Sequence, residues 1–406
     1  MSEHTPPAAA TNSGATPRWR QDPYRVFFPL GLVLAWAGVS HWLVLATLGV
    51  GPYDAVFHSI TQVQGFMTCF AVGFLFTAIP RRTGTPPPAA WEAGIGLVAP
   101  VGSTVAAWLE AYALSQVFWL ILLGVLVQFA VRRFRSSSAS RRPPNGFVWV
   151  PLALCTGALG AGCMAAYGVW GPESFALHEL GKRLLLQGTL LGLVIGVGSM
   201  VLPLITCGDA PPDGRATPRD RASRATHALG AAALATSFWI ETTSASLGFA
   251  LRAAVCGGFL LVSGRIWRLP RVPGWHRRGV WVSAWLIPAG YVLAAAQPAS
   301  AQAGLHVVFI GGFALMAFSV GFHVAAAHGG RPDLVHGRPW QVPAMGAVLA
   351  LALSARCAMV FDPAWLWRWM GLASGSFLFA SGLWGSLVLP LLWSRGAPRP
   401  LASAAA

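Results

Sequence analysis

Apolar segments long enough to cross a lipid bilayer recur along the whole chain. A helix needs about 20 predominantly apolar residues to span about 30 Å of hydrocarbon, and twelve segments approach or exceed that length. They lie near residues 26–49, 55–80, 90–109, 112–131, 147–170, 176–206, 225–240, 243–263, 279–297, 303–327, 340–361 and 364–393. The pattern predicts an all-α polytopic membrane protein with about 12 transmembrane helices.

The composition agrees with a membrane protein and excludes several soluble classes. Hydrophobic residues make up 55% of the chain and charged residues 10%, whereas soluble domains carry roughly a quarter charged residues. The polar connections are too short to hold a catalytic domain, and no phosphate-binding glycine motif or nucleic-acid module is found. The expected partner is therefore the lipid bilayer, and the net charge of +15 does not indicate nucleic acid.

The basic residues alternate between the two ends of the apolar segments. Of the 28 Lys and Arg, 23 fall in the N-terminal tail, in the connections after every second segment and in the C-terminal tail. Six connections lie on the opposite side and carry no basic residue, and five of them hold one acidic residue each: Asp54, Glu110, Glu173, Glu241 and Asp362. Because basic connections favour the cytoplasm, both termini are predicted to be cytoplasmic.

The two ends of the chain differ in composition from the apolar segments. Residues 1–24 are rich in Ala, Pro, Thr and Ser, with Arg18 and Arg20 near the first apolar segment. We predict a disordered cytoplasmic tail over 1–24, a transmembrane domain over 25–394 and a second cytoplasmic tail over 395–406.

Four histidines are predicted to lie in the outer half of the membrane, on four different helices. They are His41, His58, His178 and His306. Neutral imidazole is a good ligand for haem iron and for copper, and a haem held between two helices takes one axial histidine from each. Interfacial histidines that bond to water or headgroups are the alternative. We expect at least two of the four to share a metal or a haem.

Other polar residues inside the apolar segments are further candidates. His323 and His328 lie at the inner end of the segment that His306 opens, and they could share a metal if the helix ended near Ala326; the alternative is that they favour the negative end of the helix dipole. Arg252 lies about nine residues into its segment. A cation at that depth faces a partner or a polar cofactor group, such as a haem propionate.

Several stretches resemble the NnrS family of polytopic membrane proteins. HVVFIGGFALMAFSVGFHVAAAHGGR at 306–331 is similar to the histidine- and glycine-rich signature of the family, and GFMTCFAVGFLFTAIPRRTG at 65–84 is similar to a second family motif. The stretches YRVFF at 24–28 and IGVGSMVLPLIT at 195–206 also match, in the same order. Arg356 stands where the family has an arginine.

The resemblance implies a haem- and copper-containing protein of the bacterial cytoplasmic membrane. It implies haem b and copper as cofactors, nitric oxide or a redox partner as partners, and a role in nitric oxide response, nitrosative-stress tolerance and denitrification. His58, His306 and His328 carry over by position. The family begins the second helix with two histidines and a glutamate, and this chain keeps His58 but has Ile60 and Thr61 at the other two positions.

Two other functions remain open from the sequence. A secondary transporter of a small solute is one, because twelve helices with cytoplasmic termini are a common carrier layout. Outer histidines scattered beyond about 15 Å from one another, roughly ten residues of helix at 1.5 Å each, would favour it. A haem-copper reductase-like subunit is the second, although no His-His or His-X-His pair is found for a dinuclear centre. Enzymatic turnover is left open.

Overall fold

The described part of the chain consists of helices and their connections. The structure is a computed structural model, and it describes residues 17–136 and 141–393. Its long helices are α1 Tyr24–Leu48, α2 Ala55–Thr83, α3 Ala90–Trp108, α4 Tyr112–Phe134, α5 Trp149–Trp170, α6 175–207, α7 Pro218–Ile240, α8 Ala245–Val262, α9 Trp275–Ala296, α10 Pro298–His328, α11 Gln341–Phe361 and α12 Leu366–Trp393.

Nine helical segments within residues 17–136 and 141–393 are long and apolar enough to cross a membrane. One of them, Asn145–Cys207, contains both α5 and α6, while α3 and α7 are not among the nine. The first two turns of α7 are charged, and this helix begins at Pro218, seven residues before the predicted segment. The described residues therefore form an all-helical, multi-pass membrane protein with nine candidate spans, compared with the twelve crossings expected from the sequence.

Part of the predicted N-terminal tail is helical. Arg18–Gln21 form a short helix, and Arg20 Nε donates to the carbonyl oxygen of Pro88 at 3.0 Å. Asp22 forms ion pairs with Arg25 and Arg81, and these pairs hold the entry to α1 against the end of α2. The rest of the two predicted tails, residues 1–16 and 395–406, lies outside the described residues.

Three helices contain a π-helical segment, in which backbone hydrogen bonds join residues five apart in the chain instead of the four of an α-helix. The segments are Thr61–Met67 in α2, Leu184–Gly188 in α6 and Val307–Ala314 in α10. Their first residues are separated by two equal intervals of 123 residues. The chain therefore repeats a unit of four helices three times, α1–α4, α5–α8 and α9–α12, with α2, α6 and α10 in equivalent positions.

An aromatic cluster fixes α2 and α10 beside each other. Phe28 of α1 stacks on Phe70 of α2 with ring centroids 4.8 Å apart, and Phe70 lies 5.2 Å from the ring of Trp384 in α12. The Trp384 indole donates to the carbonyl oxygen of Phe318 in α10 at 2.8 Å. These side chains are buried, so their packing sets the relative positions of the two helices that carry His58 and His306.

Candidate functional site

A cavity of about 550 Å³ lies among the N-terminal parts of α2, α6 and α10. Its lining includes His58 of α2, His178 of α6, His306 of α10 and Arg356 of α11. Pockets that bind cofactors and other small molecules commonly have volumes of about 300–1,000 Å³. The structure thus brings four of the sequence-predicted site residues, from four helices, to one cavity.

His58 and His306 are held in the same way. Nδ1 of His58 lies 2.6 Å from the carbonyl oxygen of Gly38, and Nδ1 of His306 lies 2.7 Å from the carbonyl oxygen of Gln302. Because a carbonyl oxygen can only accept, each Nδ1 carries the proton and each neutral ring has its lone pair on Nε2. In the part of the chain that the structure describes, no hydrogen bond engages either Nε2. Such an arrangement orients an imidazole for metal binding.

Glycine at position 38 permits the contact that orients His58. A Cβ atom at Gly38 would lie 3.0 Å from Cγ2 of Thr61 and 2.5 Å from Nε2 of Gln62. The missing side chain lets α1 approach α2 closely enough for the Gly38 carbonyl to reach the imidazole. The contact is also fixed by Gln62, whose amide donates to the carbonyl oxygen of Ala35 at 2.9 Å.

His178 has a different environment in the same cavity. Its side chain is buried and its ring centroid lies 4.5 Å from that of Tyr167. Nδ1 is buried without a hydrogen-bond partner among the described residues. A buried polar atom without a partner is costly, and here it lies beside a cavity that could hold a group to satisfy it.

Arg356 contributes a cation to the cavity. Nη1 lies 3.6 Å from the sulfur of Met359, which is a weak acceptor. Within residues 17–136 and 141–393, no carboxylate forms an ion pair with Arg356. Its side chain lines the same cavity as His58 and His306. The cavity therefore favours an anionic group beside the two histidines.

Arg252 does not line the cavity but supports one wall of it. It is fully buried and donates to Glu241 at 2.5 Å and to the side-chain oxygen of Gln187 at 2.7 Å. Glu241 also pairs with Arg183 at 3.1 Å, and all three partners of this network line the cavity. We attribute to Arg252 a positioning role, and Glu241 and Gln187 are site residues that the sequence did not reveal.

The remaining predicted ligands lie outside the cavity lining. The ring of His41 packs 4.4 Å from that of Trp42 and 6.2 Å from that of His58. His323 lies towards the other end of α10, where its Nδ1 is 3.2 Å from Nε2 of His276. α10 continues to His328, which contacts Arg81. The helix ends two residues beyond Ala326, and a metal shared by His323 and His328 stays a prediction.

A model of the NnrS protein family matches residues 18–395, which is nearly the whole chain. The chain belongs to the NnrS family. No curated protein matches it significantly. Membership agrees with the motifs at 65–84 and 306–331 and with the helical membrane fold.

The residues present in this NnrS-family protein fit a haem better than a metal ion alone. A haem needs one or two axial imidazoles and a partner for its propionates, and the cavity offers His58, His306 and Arg356 together with enough volume. In the described part of the chain, no three His, Cys, Asp or Glu residues are grouped so that they could hold a metal ion. For copper, this part offers only pairs such as His276 and His323, so no step through copper is derived.

Proposed function

We propose that this protein binds haem b in the cavity through His58 and His306 and acts in the response of a bacterium to nitric oxide. The proposal places it in the bacterial cytoplasmic membrane, with a role in nitrosative-stress tolerance linked to denitrification. The observation that carries it is the pair of imidazoles on α2 and α10. Both donate Nδ1–H to a backbone carbonyl and both line one cavity.

Each residue of the cavity would have a distinct task. His58 and His306 would offer Nε2 to the iron, and the carbonyls of Gly38 and Gln302 keep the two rings oriented. Arg356 would pair with a propionate. A bound haem would supply an iron that exchanges one electron with a redox partner, or that coordinates a small ligand such as nitric oxide after one imidazole leaves it. No catalytic residue is assigned.

We also propose twelve crossings with both termini in the cytoplasm. The distribution of Lys and Arg supports this topology, because α3 and α7 must both cross for the basic connections to fall on one side. It places the cavity at the periplasmic end of the bundle. Nitric oxide, or a redox partner on that side, would then meet the cavity without entering the cytoplasm.

The test of the haem site is an absorption spectrum of the purified protein. We expect a Soret band in the wild type, its loss in the His58→Ala, His306→Ala double variant, and its retention in His336→Ala. His336 is an exposed histidine and is the matched control. No Soret band in the wild type, or an unchanged band in the double variant, contradicts the proposal.

The biological role has a separate test in the host. A strain that lacks the gene should grow more slowly than its parent when nitric oxide is supplied. The wild-type gene should restore growth, whereas the double histidine variant should not. Equal growth of parent and deletion strain under nitric oxide would refute the role while leaving the haem site to be judged by the spectrum.

A transporter is the second candidate, because ionised side chains also line the cavity. Glu179 and Lys182 form an ion pair at 2.5 Å, and Arg183 pairs with Glu241. Such groups could bind a polar solute. His58, His178 and His306 all line this one cavity, which favours a shared cofactor over a transporter. A haem-copper reductase-like subunit is disfavoured, because the described residues contain no three-ligand metal group.

A further inference from the structure

A second cavity lies between α2, α6 and α10, further along these helices than the histidines. Its volume is about 150 Å³. Every lining residue is Phe, Met, Leu, Val, Ala or Gly, and none of them is exposed. No lining side chain can donate a hydrogen bond or accept one strongly. We call this cavity the inner chamber.

The inner chamber arises from the threefold repeat of the chain. Residues that line it occur at equivalent positions of the three central helices, 123 residues apart. One layer consists of Ala71, Val194 and Ala317, and another of Leu75, Gly198 and Gly321. Because these side chains are short, they do not fill the space where the three helices converge. The chamber is thus a property of the packing of three helices and not of one irregular side chain.

The inner chamber adjoins the histidine cavity. Met67 of α2 lines both, and it lies at the end of the first π-helical segment. A methionine side chain is unbranched and adapts readily to its neighbours. Met67 therefore lies where the two cavities meet, and its flexible side chain contacts both.

We propose that the inner chamber binds small uncharged molecules of the diatomic-gas class and delivers them to the histidine cavity. Its side chains offer water no strong hydrogen-bond partner, and enclosed apolar cavities of about this volume bind xenon or benzene. A haem or a charged solute does not match its size or its polarity. The delivery part of the proposal rests on the haem site proposed above, and the binding part does not.

Xenon is the probe for the binding part. Crystals of the purified protein under xenon pressure should show xenon between α2, α6 and α10. Ala317→Phe, which fills the chamber, should remove it, and Ala350→Phe, at an exposed position of α11, should not. Ala71→Leu is a second filling variant if Ala317→Phe does not fold. A folded wild type with no xenon in the chamber, or with a lipid or detergent chain in it, overturns the proposal.

Rebinding of carbon monoxide after flash photolysis tests delivery in the haem-loaded protein. The bimolecular rate should fall several-fold in Ala317→Phe and stay unchanged in Ala350→Phe. If both proteins show a Soret band and their rates are equal, the delivery proposal is overturned while the haem site stands. If the wild type has no Soret band, delivery fails together with the haem site, and xenon occupancy still decides whether the chamber binds gas.

Discussion

Histidines of one chain have different chemistry according to the atoms around them. His58 and His306 donate Nδ1–H to a carbonyl and keep Nε2 available, which raises the basicity of the ring as a ligand. His276 and His323 bond to each other, and His227 accepts from the Trp149 indole at 2.9 Å. The residue type alone therefore does not identify a metal ligand. The hydrogen-bond partner of each ring nitrogen shows whether a histidine has a nitrogen available for a metal.

Substitution of Arg356 tests whether its charge holds an anionic part of the cofactor. Arg356→Leu should weaken haem binding by about 1.5–3 kcal/mol, the usual contribution of a hydrogen bond to a charged group, and Arg356→Lys should weaken it less. Titration of the apoprotein with haem measures the change. Arg368→Leu, which removes an exposed guanidinium, is the control and should leave the affinity unaltered. Equal affinity in wild type and Arg356→Leu would exclude the pairing.

The sequence predicted part of the site and missed the rest for a physical reason. His58, His178, His306 and Arg356 stand out because a polar side chain in an apolar segment needs a partner. Glu241 lies in a short connection and resembles any other polar loop residue. Its role depends on α7 and α8 packing as neighbours, which puts the carboxylate within 2.5 Å of Arg252.

At the level of elements, a π-helical segment follows each of the three cavity histidines, and we expect it to set the direction of that side chain. Each begins within six residues of a histidine that lines the cavity, and π-helical turns are frequent at functional sites. In α2 the Thr68 hydroxyl donates to the carbonyl oxygen of Val63 at 2.6 Å. The hydropathy pattern does not predict these segments, because one extra residue in a turn does not change the apolar character of a helix.

Deletion of one residue from a π-helical segment tests this role. Removing Val63 should convert the turn to α-helix and rotate His58 by about 100° relative to the rest of α2, because an α-helix has 3.6 residues per turn. We expect loss of the Soret band in a protein that still elutes as a folded species. Val63→Ala keeps the length of the segment and should retain the band. A haem content that survives the deletion would show that the turn does not orient His58.

The extents of the long helices were largely predictable, since apolar length and charged ends define them. The exception is α7, where Thr217 accepts from the backbone N–H of Asp220 at 3.1 Å and starts the helix in a polar stretch. Capping of this kind adds turns that hydropathy does not detect.

For the whole molecule, the threefold repeat is visible in the structure and hidden in the sequence. Met67, Leu190 and Phe313 occupy equivalent positions of the inner chamber but share no residue identity. Packing in a membrane requires apolar side chains of suitable total volume and not particular residues. The repeat is therefore recognised from backbone geometry, in the equal spacing of the π-helical segments, and not from the identity of equivalent side chains.

The twelve-crossing topology can be tested at α7, which is not among the nine candidate spans. In a variant with all six cysteines replaced, Thr243→Cys should react with a membrane-impermeant maleimide in cells whose outer membrane has been opened. Ala216→Cys should react only after the inner membrane is broken. Both positions are exposed and lie at opposite ends of α7. Labelling of both from the same side would show that α7 does not cross.

The central claim is that His58 and His306 bind one haem between α2 and α10. Low-temperature electron paramagnetic resonance of the oxidised protein tests it most directly, because two axial imidazoles give low-spin ferric iron. The account predicts a low-spin signal in the wild type and a high-spin signal in each of the single variants His58→Ala and His306→Ala. Added imidazole should restore the low-spin signal in each variant. A low-spin signal that survives either substitution would contradict it.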